Sequence, residues 1–469
     1  MKNTKRLLKP ATALLLACLL LVCAALPCFA AEETEPFIPV LRFIASSDSH
    51  VRSENDKTAE RIGMMLEQAY ALSDGDPVYQ NLDALVMAGD LTNSGTKEEF
   101  KKFWTAVSGA KRDETQFLGV VAKNHDGFSM GRREVHSFYT GLTGETADFH
   151  KVINGFHFIG LSASDDDSVH YSDEQLGWLK EQLDAAVAEN PDKPIFFMHH
   201  EHNRNTVYGS STFDGWGIKY FKKILNDYPQ VVDFSGHSHY PLNDPRSIWQ
   251  GAYTAIGTGA IYYAEFTIDD SRAYDPPDCE DAATYWIVEV NEDGDLHLRG
   301  MDILADRQLC EYTTPNPADS NHRDFTPKKQ KAASTAPVFP ADAALKTEAT
   351  GKGEGCVTVP AAQSTDGTPV VLYRLTVKTV YGLTAEKQWY LPHYYVADGE
   401  QTIAFLLEGL AKGTYKLSVT AETAYGVKSE PVKGTIRVND GVGGVGFFFK
   451  ALVRPIVRGV LIVGRHIFK

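Results

Sequence analysis

Short polar segments recur between residues 48 and 239 of this chain, each after a run of apolar residues. They read Asp48-Ser49-His50, Gly89-Asp90, Asn124-His125-Asp126, His199-His200 and Gly236-His237-Ser238-His239. The apolar runs are typical of buried strands. Because an open α/β sheet binds ligands beyond the carboxyl ends of its strands, these distant tips can converge on one site. Carboxylate, amide and imidazole groups without cysteine favour a hard or borderline metal, and the ligand count fits two ions better than one.

The pattern of strands and helices over residues 37–313 predicts one α/β domain. Short apolar runs of the buried-strand type lie at Ala84–Ala88, Phe117–Ala122, Phe156–Leu161 and Ile195–Met198. A capping box at Ser172 and Gln175 begins a helix that Asn190-Pro191 should end. Strands that alternate with helices imply crossover connections and an α/β fold. Near the end of the domain, residues 285–298 predict an edge hairpin.

The chain changes character after this domain. Residues 314–341 are rich in Pro, Thr, Ser, Ala and Lys without apolar periodicity, which predicts a linker. In residues 342–438 the hydrophobic period becomes two, as where Tyr373, Leu375 and Val377 alternate with polar residues. This alternation is typical of half-buried antiparallel strands, so we expect an all-β sandwich.

Both ends of the chain differ from the two domains. Residues 1–31 have a basic start, a long apolar stretch and a small-residue site ending at Ala30, which predicts a cleaved signal peptide; the alternative is a membrane anchor. In residues 447–469 basic side chains recur on one side of an apolar segment, which indicates an amphipathic helix on an anionic membrane. The alternative is a tail that packs on its own domain. We therefore expect an exported protein, extracellular or associated with the cell envelope.

Charge and cysteine content narrow the function further. The chain has 469 residues and a formal net charge of −15, which argues against nucleic acid as its main partner but not against a small phosphorylated substrate. Beyond the leader only Cys279, Cys310 and Cys356 remain. Export would permit a Cys279–Cys310 disulfide, although the spacing does not decide whether it forms.

The order of the polar segments resembles the calcineurin-like metallophosphoesterases. The family's pattern is Asp-x-His, Gly-Asp, Gly-Asn-His-Asp/Glu, an apolar run ending in His, and Gly-His-x-His. The resemblance covers about residues 40–300 and implies a two-sheet sandwich flanked by helices with a binuclear centre. Separately, residues 413–431 resemble the late strands of fibronectin type III modules, so the C-terminal sandwich is expected to be immunoglobulin-like or fibronectin III-like.

The family resemblance also implies a role for each residue. Asp48, His50 and His239 would hold one metal, Asn124, His199 and His237 the other, and Asp90 would bridge the two, with Fe, Mn or Zn as the ions. A bridging hydroxide would attack phosphorus, and His125 would protonate the leaving oxygen while Asp126 orients its ring. The substrate candidates are His200, which is otherwise structural or supports a ligand, and Arg204 and Arg246, which are otherwise solvated charges.

The predicted function is therefore an exported, metal-dependent phosphoesterase of phosphodiesters or phosphomonoesters. One alternative is a surface-attached binding protein that uses the domain as a metal-stabilised scaffold; another is a phosphoprotein or lipid phosphatase. The family's glycine before Asn-His is Lys123 in this chain. That departure leaves the backbone geometry of the Asn-His segment in question.

Overall fold

The computed structural model describes residues 36–54, 57–211, 217–267, 279–396 and 401–441. The predicted signal peptide, residues 1–31, and the predicted amphipathic tail, residues 447–469, lie outside these ranges. In the part of the chain that is described, no helix is both long and apolar enough to cross a membrane.

Six helices occur in the described ranges, and two of them begin with a capping box. Thr96 with Glu99 caps α2, and Ser172 with Gln175 caps α4 as the sequence predicts. The helices are α1 (Lys57–Gly75), α2 (Lys97–Ala110), α3 (Arg132–Thr143), α4 (Asp173–Glu189), α5 (Lys222–Leu225) and α6 (Pro327–Ala333), with 3-10 turns at His125–Gly127, Pro245–Ser247 and Cys279–Asp281.

The strands before residue 315 form two six-stranded sheets. The first sheet has the order β12-β11-β10-β1-β2-β3 and the second β4-β5-β6-β7-β9-β8. Their bounds are β1 (Pro39–Ser46), β2 (Ala84–Ala88), β3 (Gln116–Val120), β4 (Phe149–Ile153), β5 (Phe156–Gly160), β6 (Ile195–Met198), β7 (Val231–Ser235), β8 (Ile248–Gln250), β9 (Thr254–Gly257), β10 (Thr284–Asn291), β11 (Leu296–Asp302) and β12 (Arg307–Thr314).

The two sheets pack face to face around one apolar layer. Phe43 of the first sheet meets Phe158, Phe196 and Phe234 of the second, with ring centroids 4.9–5.8 Å apart. Helices α1–α3 cover the outer face of the first sheet, and α4 and α5 cover the second. This is the predicted sandwich with helices on both faces.

Two details differ from the prediction. The β10–β11 hairpin is not at the edge, because β10 pairs with β1 and the unpredicted β12 covers β11. Residues 314–341 are not a free linker. Phe325 packs into the core between the sheets, and the buried Arg323 donates hydrogen bonds to Pro229 O and Pro317 O.

The C-terminal region is all-β, as expected. A three-stranded sheet has the order β13-β14-β17, and a four-stranded sheet has the order β16-β15-β18-β19. The strands are β13 (Lys346–Gly351), β14 (Glu354–Pro360), β15 (Val370–Thr379), β16 (Thr384–Tyr390), β17 (Thr402–Leu407), β18 (Gly413–Thr423) and β19 (Val432–Val438). One apolar cluster, which includes Val357, Leu375 and Val419, fills the space between the sheets.

Candidate metal centre

The polar segments meet because the strands that precede them are parallel neighbours. In the first sheet β1, β2 and β3 run parallel, and in the second β6 and β7 do so. Backbone hydrogen bonds then join the loops: Asp48 N donates to Gly89 O at 3.0 Å, and Gly236 N donates to His200 O at 2.8 Å. The site is therefore built on sheet ends rather than on free loops.

The backbone at these strand ends is strained. Among the described residues, eight other than glycine have a positive φ. Five of the eight belong to the predicted site: Asp48, His50, Asp90, His237 and His239, with φ between 44° and 70°. Such conformations cost on the order of 1–3 kcal/mol each and persist only where the surroundings enforce them. The strain is thus concentrated in the polar segments that the sequence predicts to form the site.

Two glycines of the motifs are required by close packing. A Cβ on Gly236 would lie 2.3 Å from Asp48 Oδ2, and one on Gly89 would lie 2.7 Å from His200 Nδ1. Gly89 also has a φ of 87°, which other residues adopt at a cost. Both glycines let a neighbouring strand end bring its side chain into the cluster.

Three side chains converge on one side of the cluster. His239 Nε2 lies 3.1 Å from Asp48 Oδ1 and 3.1 Å from His50 Nε2. His50 Nε2 is also 3.8 Å from Asp90 Oδ2. Asp48 is held in place at its other oxygen, Oδ2, which accepts hydrogen bonds from Ser47 Oγ and from His237 N. Asp48, His50 and His239 can thus hold one cation, with Asp90 within reach.

The other side of the cluster also contains Asp90. His200 Nε2 lies 3.1 Å from Asp90 Oδ2, and the Asn124 amide nitrogen lies 3.2 Å from the same oxygen. His237 Nδ1 is 3.5 Å from that amide. Rotation of the amide by a half-turn exchanges its nitrogen and oxygen and would present the oxygen to a cation. Asp90 therefore lies between two sets of potential ligands.

Buried atoms without a hydrogen bond show that the cluster fits metal ions. Asp48 Oδ1, Asp90 Oδ1, Asn124 Oδ1 and His200 Nε2 have no hydrogen-bond partner among the described residues. Asp48 is fully buried and Asp90 is 1% exposed. Buried charges are costly unless they are paired or coordinate a metal. These donors, none of them sulfur, suit two hard or borderline cations.

Both carboxylates are ionised despite their burial. Burial by itself would raise the pKa of Asp48, but the neighbouring His239 and, after it, His50 outweigh burial and bring the pKa well below the usual range. For Asp90 burial also acts to raise the pKa, and the neighbouring His200 and His50 lower it overall. Both side chains are therefore in the protonation state that coordination needs.

His200, and not His199, lies in the cluster, which corrects the assignment from the sequence. His199 Nε2 is 2.8 Å from Asp233 Oδ1, a carboxylate outside the cluster, and Asn203 Nδ2 donates to the same carboxylate. His200 instead donates a hydrogen bond from Nδ1 to Ala88 O, 2.9 Å away, which directs Nε2 towards Asp90. Adjacent residues at a strand end point to opposite sides, so only one of them can reach the site.

His125 lies beside the cluster, but Asp126 does not orient it. His125 Nδ1 is 2.7 Å from Asn93 O, and its ring centroid is 4.4 Å from that of His50. Asp126 accepts hydrogen bonds from the backbone N–H groups of Thr92 and Ala122. Burial and, after it, the charge of Asp90 raise the pKa of Asp126 to about 6. Asp126 therefore holds two loops together, and a backbone carbonyl fixes the imidazole.

The contacts of Arg246 and Arg204 with other described residues lie away from the cluster. Arg246 binds Asp244 through two hydrogen bonds, Nε to Oδ1 at 2.9 Å and Nη2 to Oδ2 at 2.6 Å, and its guanidinium lies 3.7 Å over the Tyr208 ring. Its donors are thus engaged elsewhere, close to the C-terminal region, where Asn243 donates to Tyr394 O. Arg204 is exposed next to Lys219 and Lys222.

The substitution at Lys123 is harmless to the backbone. Lys123 is exposed, and it is not among the residues with a positive φ. Its conformation therefore does not demand glycine.

No disulfide joins Cys279 and Cys310 in the described part of the chain.

Some residues that pack in or near the cluster carry no motif in the sequence that would have marked them. The Tyr263 ring packs 4.2 Å from the His239 ring, centroid to centroid, and the Tyr262 ring 5.6 Å from His50. The buried Glu201 pairs with His170, whose Nε2 lies 2.9 Å from Glu201 Oε1. The tyrosines and His170 follow no strand-end motif. Glu201 comes directly after His200, but its burial has no signal in the sequence.

Comparison with known proteins identifies the first domain. Residues 41–241 match the sequence model of the calcineurin-like phosphoesterase family. The chain contains a calcineurin-like phosphoesterase domain. The match extends from β1 through the Gly-His-Ser-His segment, so it includes every strand end that contributes to the cluster.

Two relatives of the phosphoesterase domain have names that state an activity. The glycerophosphodiester phosphodiesterase GpdQ of Enterobacter lignolyticus is 26% identical over 245 residues, which are 50% of this chain and 83% of the relative. A probable glycerophosphodiester phosphodiesterase GpdQ of Arcobacter nitrofigilis is 28% identical over 203 residues, 41% of this chain and 70% of the relative. With the family match, they support a hydrolase that acts on phosphoester bonds.

A solved structure with partial similarity is the purple acid phosphatase PPD1 from yellow lupin seeds. The TM-score is 0.41 and the identity 12%, over 58% of this chain and 53% of the phosphatase. The chain thus spans about half the length of that protein.

Proposed function

We propose that the protein is an exported phosphodiesterase that works with two metal ions. Asp48, His50 and His239 would hold one ion, Asn124, His200 and His237 the other, and Asp90 would bind both. The observation that carries this proposal is the convergence of these seven side chains on both sides of Asp90. The metal identity remains within Fe, Mn and Zn, the ions that the family resemblance implies.

The residues around the metals divide the chemistry between them. Two bound metals would supply an activated water and neutralise charge on the phosphoryl group. His125 is placed to give a proton to the leaving oxygen from Nε2, because its Nδ1 is engaged by Asn93 O. The hydrogen bond to Asn93 O also fixes the orientation of the ring. Asp126 supports this geometry indirectly by holding the Asn93 loop.

Diesters are favoured as substrates by the names of the two relatives, both of them glycerophosphodiester phosphodiesterases. To test the proposal, metal content and the hydrolysis of bis(p-nitrophenyl) phosphate and p-nitrophenyl phosphate would be measured with added Mn²⁺. We expect two metals per chain and faster cleavage of the diester. Fewer than two metals together with no cleavage of either ester would refute the enzyme; faster cleavage of the monoester would refute only the diester preference.

Export is proposed from residues 1–31. The expected outcome is a secreted protein whose mature chain begins near Glu32, which N-terminal sequencing would detect. A mature protein that retains Met1 would contradict cleavage.

Membrane association is proposed for residues 447–469. Mature protein that ends at Val438 should lose binding to anionic vesicles relative to the longer chain. Unchanged binding would contradict a role for the tail.

The C-terminal region is proposed to be a fibronectin III-like module that acts as a spacer or binding surface. The three-plus-four strand order supports this, and so does Tyr415 at the start of β18, whose hydroxyl donates to Ala411 O at 2.9 Å. A tyrosine that bonds back to the chain a few residues upstream is a feature of such sandwiches. The variant Tyr415→Phe removes this hydrogen bond and should lower the free energy of unfolding without changing kcat.

A further inference from the structure

Phe128 is an exposed aromatic residue next to the candidate proton donor. Its side chain is 64% exposed, and its ring centroid lies 4.9 Å from that of His125. The residue follows the single 3-10 turn His125–Gly127 and has ordinary helical dihedral angles. Its position is thus fixed by the same turn that positions His125.

Core packing does not explain Phe128. The phenylalanine belongs to none of the apolar clusters formed by the described residues. Single exposed apolar side chains are common on protein surfaces and need no explanation in themselves. What distinguishes Phe128 is its contact with a histidine whose Nε2 is directed towards the metal-binding cluster.

Aromatic rings form a continuous row along this side of the cluster. Phe128 contacts His125, His125 contacts His50 at 4.4 Å, and His50 contacts Tyr262 at 5.6 Å, all between ring centroids. Tyr262 is engaged by Arg52, which stacks on its ring at 4.5 Å, and by Glu280, which accepts from its hydroxyl at 3.0 Å. Phe128 is therefore the end of the row that offers a wholly apolar ring to solvent.

We propose that Phe128 forms a leaving-group subsite that selects phosphodiesters whose leaving oxygen carries a planar aromatic group. This inference rests on the proposed function and specifies its substrate class. During hydrolysis the bond from phosphorus to the leaving oxygen breaks, and a bond from phosphorus to the oxygen of water forms as that water releases a proton to solvent. His125 gives its proton to the leaving oxygen and takes one back from solvent before the next turnover. The substituent on that oxygen must then lie alongside His125, within reach of Phe128.

The apolar, planar phenyl ring of Phe128 determines which leaving-group substituents bind in the subsite. A phenyl ring stacks on, or meets edge to face, another flat π-system. Glycerol offers only hydroxyl groups, which lose hydrogen bonds to water against an apolar surface and gain none. The subsite therefore favours an aryl or nucleobase-bearing leaving group over glycerol.

A matched pair of substrates tests this subsite. p-Nitrophenyl phosphorylcholine and glycerophosphorylcholine share the phosphorylcholine half and differ in the leaving group. Phe128→Ala should lower kcat/KM for the aryl ester about ten-fold and change that for the glycerol ester less than about two-fold. Phe128→Tyr keeps the ring and should retain the aryl preference. Val78→Ala removes an equally exposed apolar side chain, 63% exposed, and should change neither value.

Binding to the metal-loaded protein gives a readout that does not depend on turnover. Calorimetry should show tighter binding of phenylphosphonate than of methylphosphonate, and Phe128→Ala should remove the difference. Binding of adenosine 5′-monophosphate shows whether the aromatic group that binds Phe128 can be a nucleobase. If Phe128→Ala also weakens the binding of this nucleotide, the subsite accepts a nucleobase. If the binding is unchanged, the subsite accepts only aryl esters. Equal binding of the two phosphonates by wild type would overturn the subsite. Absent turnover with intact phosphonate discrimination would refute the proposed function alone.

Discussion

The phosphoesterase domain and the C-terminal β-region differ in which residue types adopt strained backbone conformations. In the described residues of the domain, positive φ values fall on eight residues other than glycine, six of them aspartates or histidines, whereas among the described residues of the β-region they fall only on glycines. Charged groups differ as well. Asp48 and Asp90 each have a buried oxygen, Oδ1, without a hydrogen bond and face histidines, whereas Glu422 of the β-region pairs with Arg374 and Lys428.

The difference shows where this chain bears an energetic cost. A structure that needs only to be stable relieves strain with glycine and pairs its charges. The strand ends of the domain instead place strain on aspartates and histidines and bury carboxylates beside histidines, because metal binding would compensate the carboxylates and hold the side chains in register. If this cost is tied to the metal centre, changes at the strand ends should release metal, whereas changes in the β-region should lower stability alone.

The largest effect should come from Asp90→Ala. Asp90 lies between both ligand sets, so its removal should release both metals and lower kcat at least about 10³-fold, since two metals supply several kcal/mol of transition-state stabilisation. Metal analysis and steady-state kinetics provide the measurement. Asp306→Ala is the control, because Asp306 also has a positive φ but lies outside the cluster. If Asp90→Ala retained two metals, the idea that the strained strand ends exist to bind metal would be contradicted.

Next in size is the contrast between two adjacent histidines. His200→Ala should lose one metal and most activity, since His200 Nε2 faces Asp90. His199→Ala should keep both metals and instead lower the free energy of unfolding by about 3–5 kcal/mol, because it leaves buried Asp233 without its imidazole partner. Metal stoichiometry and denaturant unfolding separate the two. If His199→Ala lost a metal and His200→Ala kept both, His199 would be the ligand, as the sequence predicted.

A core change in the β-region should affect stability alone. Leu375 is fully buried, so Leu375→Ala should cost about 2–5 kcal/mol of unfolding free energy. Metal content and kcat of the folded protein should match wild type. Lys387→Ala, at an exposed position of the same sheet, should change stability by less than about 0.5 kcal/mol. A loss of metal in Leu375→Ala would show that the two regions are coupled.

The smallest effect concerns pH. Burial would raise the pKa of Glu289, but a hydrogen bond with His297 and the charges of Arg299 and Arg42 lower it overall. Because the folded pKa is depressed, this cluster should stabilise the fold above the ordinary glutamate pKa of about 4.3 and lose that contribution as pH falls through the folded value. Metal-free Glu289→Gln should therefore show a flatter decline of Tm below pH 5 than metal-free wild type. Parallel declines would contradict this.

Local signals in the sequence predicted the architecture well, because each strand and cap has its own pattern. Strands Ala84–Ala88 and Ile195–Met198 have the predicted bounds, and the Ser172 cap begins the predicted helix. The choice between His199 and His200 depends on which way a strand end turns, and this is decided by packing on Gly89. Likewise, the neighbour of His125 in sequence is Asp126, but its neighbour in space is the carbonyl of Asn93.

The most direct test of the metal centre is anomalous diffraction from crystals grown with Mn²⁺. We expect two peaks roughly 3.5–4 Å apart on either side of Asp90. One peak should be coordinated by Asp48, His50 and His239, and the other by Asn124, His200 and His237. A single peak, or a second peak bound to His199 in place of His200, would contradict it.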